Sequence, residues 1–107
     1  MGFFLDLLVI NLIGSFRKPM SFALMYFVYC LSSLARNYLY VGLTDNLERR
    51  INEHQSGKNR TTKPYRPFKL IYSEKFATRH EARTKEKYLK SGVGKEYLKS
   101  ILKAQRA

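Results

Sequence analysis

Tyr29, Tyr40 and Arg50 follow one another at intervals of eleven and ten residues, with His54 four positions after the arginine and Glu86 well downstream. Two phenols, a guanidinium, an imidazole and a carboxylate are groups suited to cutting a phosphodiester. A water must lose a proton, charge building on the pentacoordinate phosphorus must be neutralised, and the departing alkoxide must be stabilised. Arg50 suits the phosphate because its planar fork donates two parallel charged hydrogen bonds, which a lysine does not match. An unperturbed tyrosine titrates near ~10, so a phenol accepts a proton at neutral pH only where Arg50, His54 or a metal favours the phenolate.

The elements that must position these groups can be read from local pattern. Residues 26 to 31 and 38 to 43 are crowded with Val, Tyr, Phe and Leu, and Arg36 and Asn37 lie in the polar interruption between them, so the two runs read as a β-hairpin. If Tyr29 and Tyr40 are direct cross-strand partners, alternation puts both phenols on one face together with Phe27, Leu31, Tyr38 and Gly42, and the glycine leaves room beside Tyr40. Thr44-Asp45-Asn46 supplies a cap, with Glu48 three residues after Asp45, and Gly57 supplies a stop for a helix over about Asn46 to Gln55. On that helix Leu47, Arg50, Ile51 and His54 share one face, while Glu48, Arg49, Asn52 and Glu53 point to solvent.

A capping box at Thr78-Arg79-His80-Glu81 opens a second helix that ends near Ser91-Gly92, with the glycine as a left-handed cap. Its apolar side is Ala82, Glu86 and Leu89. A carboxylate there needs a cation, a metal or a donor beside it. A strand over about Phe68 to Phe76 and a last helix over about Lys95 to Lys103 complete the chain. The expected fold is α+β, a three-stranded antiparallel sheet flanked by helices in the order β-β-α-β-α-α. Paired tyrosines also serve ordinary packing, and a surface pair with Arg83 or Lys90 would satisfy Glu86. It is their joint occurrence that points to chemistry.

These segments resemble the GIY-YIG nucleases. The two name-giving motifs stand here as Phe27-Val28-Tyr29 and Tyr40-Val41-Gly42, and the resemblance continues through Thr44 to His54, Arg66 to Tyr72, Glu81-Ala82 and Glu86 to Gly92, covering roughly residues 25 to 102. It is greatest toward small stand-alone bacterial members, which look like the nuclease domain of the excision-repair incision subunit. Phe27 stands where the family name has glycine, Leu43 where the excision-repair domain has a lysine, and the stretch Lys90-Ser91-Gly92 offers no terminal asparagine ligand. The resemblance implies a metal-dependent DNA endonuclease in which Tyr29 orients the site, Tyr40 acts as or beside the general base, Arg50 holds the scissile phosphate and His54 supports Tyr40 or the phosphate. Glu86 would bind a divalent ion, Mg2+ or Mn2+. One carboxylate argues for a single metal that keeps several waters.

Charge points to the same partner. Twenty Lys and Arg stand against eight Asp and Glu, for a net charge of +12, and such a field attracts polyanions. Only Asp6, Arg17 and Lys18 are charged in the first 24 residues, so the excess lies beyond them. It is densest after the first helix, where Lys58, Arg60, Lys63, Arg66 and Lys69 form a basic loop expected to grip nucleic-acid backbone. Phosphate contacts carry no sequence information, so intrinsic specificity should be low. DNA is the expected substrate, RNA is also compatible, and repair, recombination and mobile-element roles all fit. Two other readings are a non-catalytic nucleic-acid-binding module of the same fold and a membrane-tethered basic interaction module.

Residues 1 to 24 differ in kind from the domain expected over residues 25 to 107. The apolar stretch from Phe3 to Ile13 falls short of the ~20 residues that span a bilayer, and Arg17 and Lys18 follow it where a signal peptide has basic residues first. No stable membrane insertion and no export are expected, and a cytoplasmic location fits the lone Cys30, a buried small hydrophobe. Translation starting at Met20 or Met25 is one expectation for this segment, and an apolar helical extension packed on the domain or on a second copy is the other.

Overall fold

The structure, a computed structural model, describes residues 25–106. The expected N-terminal helical extension lies outside the described residues. Strand β1 (Tyr26–Ser33) forms a hairpin with β2 (Leu39–Thr44), and β3 (Phe68–Phe76) adds to its other side. Both pairings are antiparallel, which makes β1 the middle strand of the order β2-β1-β3. That placement explains the unbroken apolar run in its sequence: Val28, Tyr29, Cys30 and Leu31 are all at most 1% exposed, because partners flank the strand on both sides and layers cover both faces.

Alternation divides the strand between two cores. Val28 and Cys30 turn to a cluster with Val41, Ile71, Ala82, Leu89 and Leu98, whereas Tyr29 and Leu31 turn to one with Leu47 and Phe68. A bulge in the pairing of β1 with β3, between Cys30 and Leu31, leaves Ile71 without a partner. The extra residue lets both Ile71 and Tyr72 join the first cluster while Phe68 and Leu70 stay with the second. Helix α1 (Leu47–Ser56) covers the Tyr29 side of the sheet; α2 (Arg79–Lys90) and α3 (Gly92–Arg106) cover the other. The architecture and element order are those expected from the sequence.

Three local expectations are corrected. Helix α1 begins one residue late: its cap is Asn46, whose side chain accepts from the Arg49 N–H at 3.1 Å, so Asp45 and Glu48 do not form the capping box. Gly92 is not a left-handed cap. Ser91 ends α2 in extended conformation and at once starts α3, accepting the Gly94 N–H on its hydroxyl and the Lys95 N–H on its carbonyl. The glycine this corner requires is Gly94, where a Cβ would lie 2.1 Å from the Tyr88 carbonyl oxygen. With that tight corner, α3 is longer than expected, running from Gly92 to Arg106. By contrast Gly57 has φ 85°, the left-handed stop foreseen for α1, and the Thr78 hydroxyl accepts the Glu81 N–H as its capping box demands.

Candidate active site

Tyr29 and Tyr40 are not direct cross-strand partners. The register pairs Tyr29 with Gly42 and Tyr40 with Leu31, two residues from the expected alignment, and a shift of two keeps every side chain on its expected face. The consequence is a different role for the glycine. Room is left beside Tyr29 rather than Tyr40: a Cβ on residue 42 would lie 2.4 Å from the Tyr29 hydroxyl. The Tyr29 ring therefore lies against the backbone of β2, and its oxygen reaches His54.

The one-face pattern of α1 is observed. Leu47 and His54 are buried, Ile51 packs with them, and Arg50 stands at the margin. His54 is fully buried and has both ring nitrogens bonded, Nε2 to the Tyr29 hydroxyl at 2.8 Å and Nδ1 to the Thr62 hydroxyl at 2.8 Å. Burial first, and then the Arg50 charge, push its pKa down to about 4, so the imidazole is neutral at neutral pH. Burial also pushes the Tyr29 phenol well above the usual tyrosine range, with repulsion from the neighbouring Tyr40 phenol next in effect. Tyr29 thus stays protonated.

The hydrogen-bond network assigns a direction to this chain. The Thr62 hydroxyl has the Asn59 carbonyl as an acceptor at 3.5 Å, which leaves its lone pair for a proton on Nδ1. Nε2 then accepts from the Tyr29 hydroxyl, whose own lone pairs remain for the Arg50 guanidinium beside it. Asn59 also holds Thr62 through the Thr62 N–H, donated to the Asn59 side chain at 3.2 Å. Thr62 and Asn59 were not singled out in the sequence, where only the three-residue spacing of an Asn before a Thr could have hinted at a turn.

Arg50 donates to the Glu53 carboxylate at 2.9 Å and interacts with both phenols. Glu53, expected to face solvent without a role, is drawn back onto the guanidinium, which holds its carboxyl below the usual range. The rings of Tyr40 and His54 lie 4.8 Å apart and those of Tyr29 and Tyr40 6.2 Å apart. Four of the five predicted residues therefore meet.

Glu86 stands apart from them. It belongs to α2, in the layer behind the sheet, and no hydrogen bond ties it to the other four among the described residues. Its side chain is only 9% exposed and bonds two cations, Arg83 Nη1 at 3.2 Å and Lys90 Nζ at 3.1 Å. Both pairs anticipated for a surface glutamate are present on a buried one. Its charge is nevertheless felt at Tyr29, where it opposes loss of the phenolic proton. No group of three or more His, Cys, Asp and Glu side chains that could hold a metal occurs among the described residues. A lone carboxylate suits a hard cation of the Mg2+ kind, which retains several waters, but Arg83 and Lys90 each hold one oxygen of Glu86, so an ion there would have to displace them.

The basic loop is exposed at Lys58, Arg60, Lys63, Arg66 and Lys69. Arg66 also has a structural task. Its guanidinium folds over Gly57 and donates to the Lys63 and Gln55 carbonyls, closing the loop against the end of α1. Gln55 itself bonds the Phe68 N–H and carbonyl with its side-chain amide, at 2.9 and 2.8 Å, and so ties the start of β3 to α1. Cys30 is a free buried thiol, as expected, and His80 is exposed. No helix among the described residues is long and apolar enough to cross a membrane.

Similarity to known proteins agrees with the motifs. A UPF0213 protein of Limosilactobacillus reuteri is 37% identical over 81 residues, covering 73% of this chain and 80% of that protein. A UPF0213 protein of Staphylococcus haemolyticus is 38% identical over 78 residues, covering 72% and 90%. The solution structure of a UPF0213 protein from Bacillus halodurans shares 34% identity over 72% of this chain and 84% of that one, with a TM-score of 0.45. Residues 25–98, which hold Tyr29, Tyr40, Arg50, His54 and Glu86, match the family described as the GIY-YIG catalytic domain. The family match spans well over half of the chain, and the chain belongs to the GIY-YIG family.

Proposed function

We propose that the chain is a metal-dependent endonuclease that hydrolyses DNA phosphodiester bonds with low intrinsic sequence specificity. The observation that carries this reading is the cluster in which buried Tyr29, bonded to a neutral His54, borders Arg50 and Tyr40. A solvent-facing cation held beside two phenols suits a phosphate more than it suits stability, since exposed ion pairs contribute little.

Each residue has a task. Arg50 exchanges its hydrogen bond to Glu53 for a forked pair to the scissile phosphate, gaining a doubly bonded anion in place of a solvated carboxylate. Tyr29 stays protonated, gives its proton to the His54 hydrogen bond and offers its oxygen to Arg50, so it positions the guanidinium and is not itself the base. His54 is the rigid anchor of that arrangement. Tyr40, half-exposed beside Arg50 and His54, gives its own proton to solvent, the Arg50 charge favouring the phenolate, and then takes the proton of the attacking water. Glu86, whose charge is felt at Tyr29, would hold a divalent ion, Mg2+ or Mn2+, and such an ion would supply charge neutralisation at the phosphate and the departing oxygen. Family nucleases generally work with divalent metal ions. The exposed loop lysines and arginines grip the backbone without reading bases.

Incubating the full chain with nicked, duplex, single-stranded and branched DNA, with and without Mg2+, tests the reading. Wild type should cut only with the metal, and Arg50→Ala and Glu86→Ala should abolish cutting while leaving most DNA affinity. Salt-sensitive binding by wild type with no cutting of any substrate would refute it.

A further inference from the structure

The junction between the hairpin tip and the basic loop is built with unusual care for a surface feature. Ser33 is buried; its hydroxyl accepts the Ala35 and Arg36 N–H groups and donates to the Tyr65 carbonyl at 2.6 Å. The Leu34 N–H donates to the Pro67 carbonyl at 2.8 Å, and the Ser33 N–H to the Tyr38 carbonyl at 2.9 Å. These bonds bring together two tyrosines 27 positions apart in the chain. The rings of Tyr38 and Tyr65 lie face to face, centroids 3.7 Å apart and planes 8° from parallel. Free aromatic pairs avoid this sandwich because their quadrupoles repel, preferring offset or edge-on arrangements. The fold imposes it, and the Arg36 guanidinium, 5.6 Å from the Tyr65 centroid, sits over the electron-rich stack.

Arg36 is exposed and forms no ion pair among the described residues, and Lys63 lies two positions before Tyr65 in an exposed basic loop. A planar, parallel, half-exposed stack with a cation over it matches one kind of ligand, an unpaired nucleobase attached to phosphates. Tyr38 immediately precedes β2, two residues before Tyr40, and both rings pack on the same core cluster, so a base seated there belongs to a nucleotide adjoining the phosphate at Arg50.

We propose that Tyr38 and Tyr65 form a stacking seat for one unpaired base, taken by displacement of Arg36 onto the neighbouring phosphate, so that the substrate class is DNA with a single-stranded segment beside the cut. The exchange is favourable because a base stacked on an aromatic ring is held more strongly than an exposed guanidinium over it. This inference rests on the nuclease reading for the position of the cut, but not for the seat itself.

Binding without divalent ions separates the two. The full chain is titrated with a short oligothymidylate, with an abasic backbone of the same length and charge, and with a blunt duplex, followed by anisotropy. Wild type should prefer the strand with bases over the abasic one by roughly 5- to 150-fold, the range of a single stack. Tyr65→Ala should reduce that ratio toward one, and Tyr65→Phe, which keeps the ring, should retain it. A 2-aminopurine placed in the strand should lose fluorescence on wild type and not on Tyr65→Ala. Equal affinity of wild type for the two backbones would overturn the seat, and this holds even if the alanine variant fails to fold. Persistence of the preference in a folded Tyr65→Ala would overturn it too. A base-dependent preference with no cutting in Mg2+ would remove the nuclease reading and leave the seat standing.

Discussion

Tyr29 and Gly42 face each other across the hairpin, and the phenol fills the space a side chain at 42 would take. Gly42→Ala must drive the Tyr29 hydroxyl away from His54, because the ring is buried and has nowhere else to go. We expect a stability loss of about 1–3 kcal/mol, the usual cost of overfilling a packed site, and a fall in cleavage larger than that loss explains. Urea unfolding and cleavage rates on the same preparation measure both; unchanged rates would show that Tyr29 does not position Arg50.

Thr62 is the next residue to test. Thr62→Val keeps the shape but leaves the buried His54 Nδ1–H without an acceptor, at a cost of about 1–3 kcal/mol. Thr62→Ser restores the hydroxyl and should recover most of the stability and the cleavage rate. Equal behaviour of Val and Ser variants in thermal unfolding would mean that the hydroxyl is not the anchor.

Acid should loosen the fold through His54. His54 has a pKa of about 4 in the fold and ~6.5 in an unfolded chain, so between those values the unfolded state binds more protons. Stability is then complete above ~6.5 and is lost as pH falls toward 4, by at most about 3 kcal/mol. The urea midpoint of wild type should decline from pH 7 to pH 5, and that of His54→Gln should be flatter over the same interval.

Lys90 and Arg83 occupy the carboxylate assigned to the metal. Lys90→Met removes one competitor while leaving the long apolar stem, so half-maximal cleavage should be reached at several-fold lower Mg2+. Glu86 is buried and keeps Arg83 as a partner, so the loss of stability should be about 1–3 kcal/mol. A metal titration of cleavage decides the point: a raised or unchanged requirement would count against Glu86 as the ligand.

The basic loop should act through salt. Each of Lys63→Ala and Arg60→Ala removes one phosphate contact, and the slope of log affinity against log salt should become shallower by about 0.7–0.9 per residue. Arg66→Ala should differ from these, lowering thermal stability as well, because its guanidinium also closes the loop on α1.

What was legible in the sequence followed from short-range patterns. Strand β3 is bounded by Phe68 and Phe76 as expected, and the Thr78 cap and Gly57 stop are where their residue types place them. The register of the hairpin was not legible, because Ser32 and Ser33 look like turn residues yet continue β1, and only Arg36 and Asn37 mark the interruption by polarity. The stack of Tyr38 on Tyr65 and the bond from Thr62 to His54 depend on a loop folding back. No periodicity within either segment encodes that. The face of α1 was readable from spacing, whereas the recapture of Arg50 by Glu53 was not, since both lie at positions that solvent could equally claim.

Among the described residues, Tyr29 lies on the one strand that has neighbours on both flanks. Opening β2 or β3 alone leaves β1 zipped to the remaining edge, so its amide protons should be among the last to exchange with deuterated solvent. Fraying from the outside therefore spares the innermost phenol until the whole sheet melts. Heat inactivation and global unfolding should coincide in a single transition.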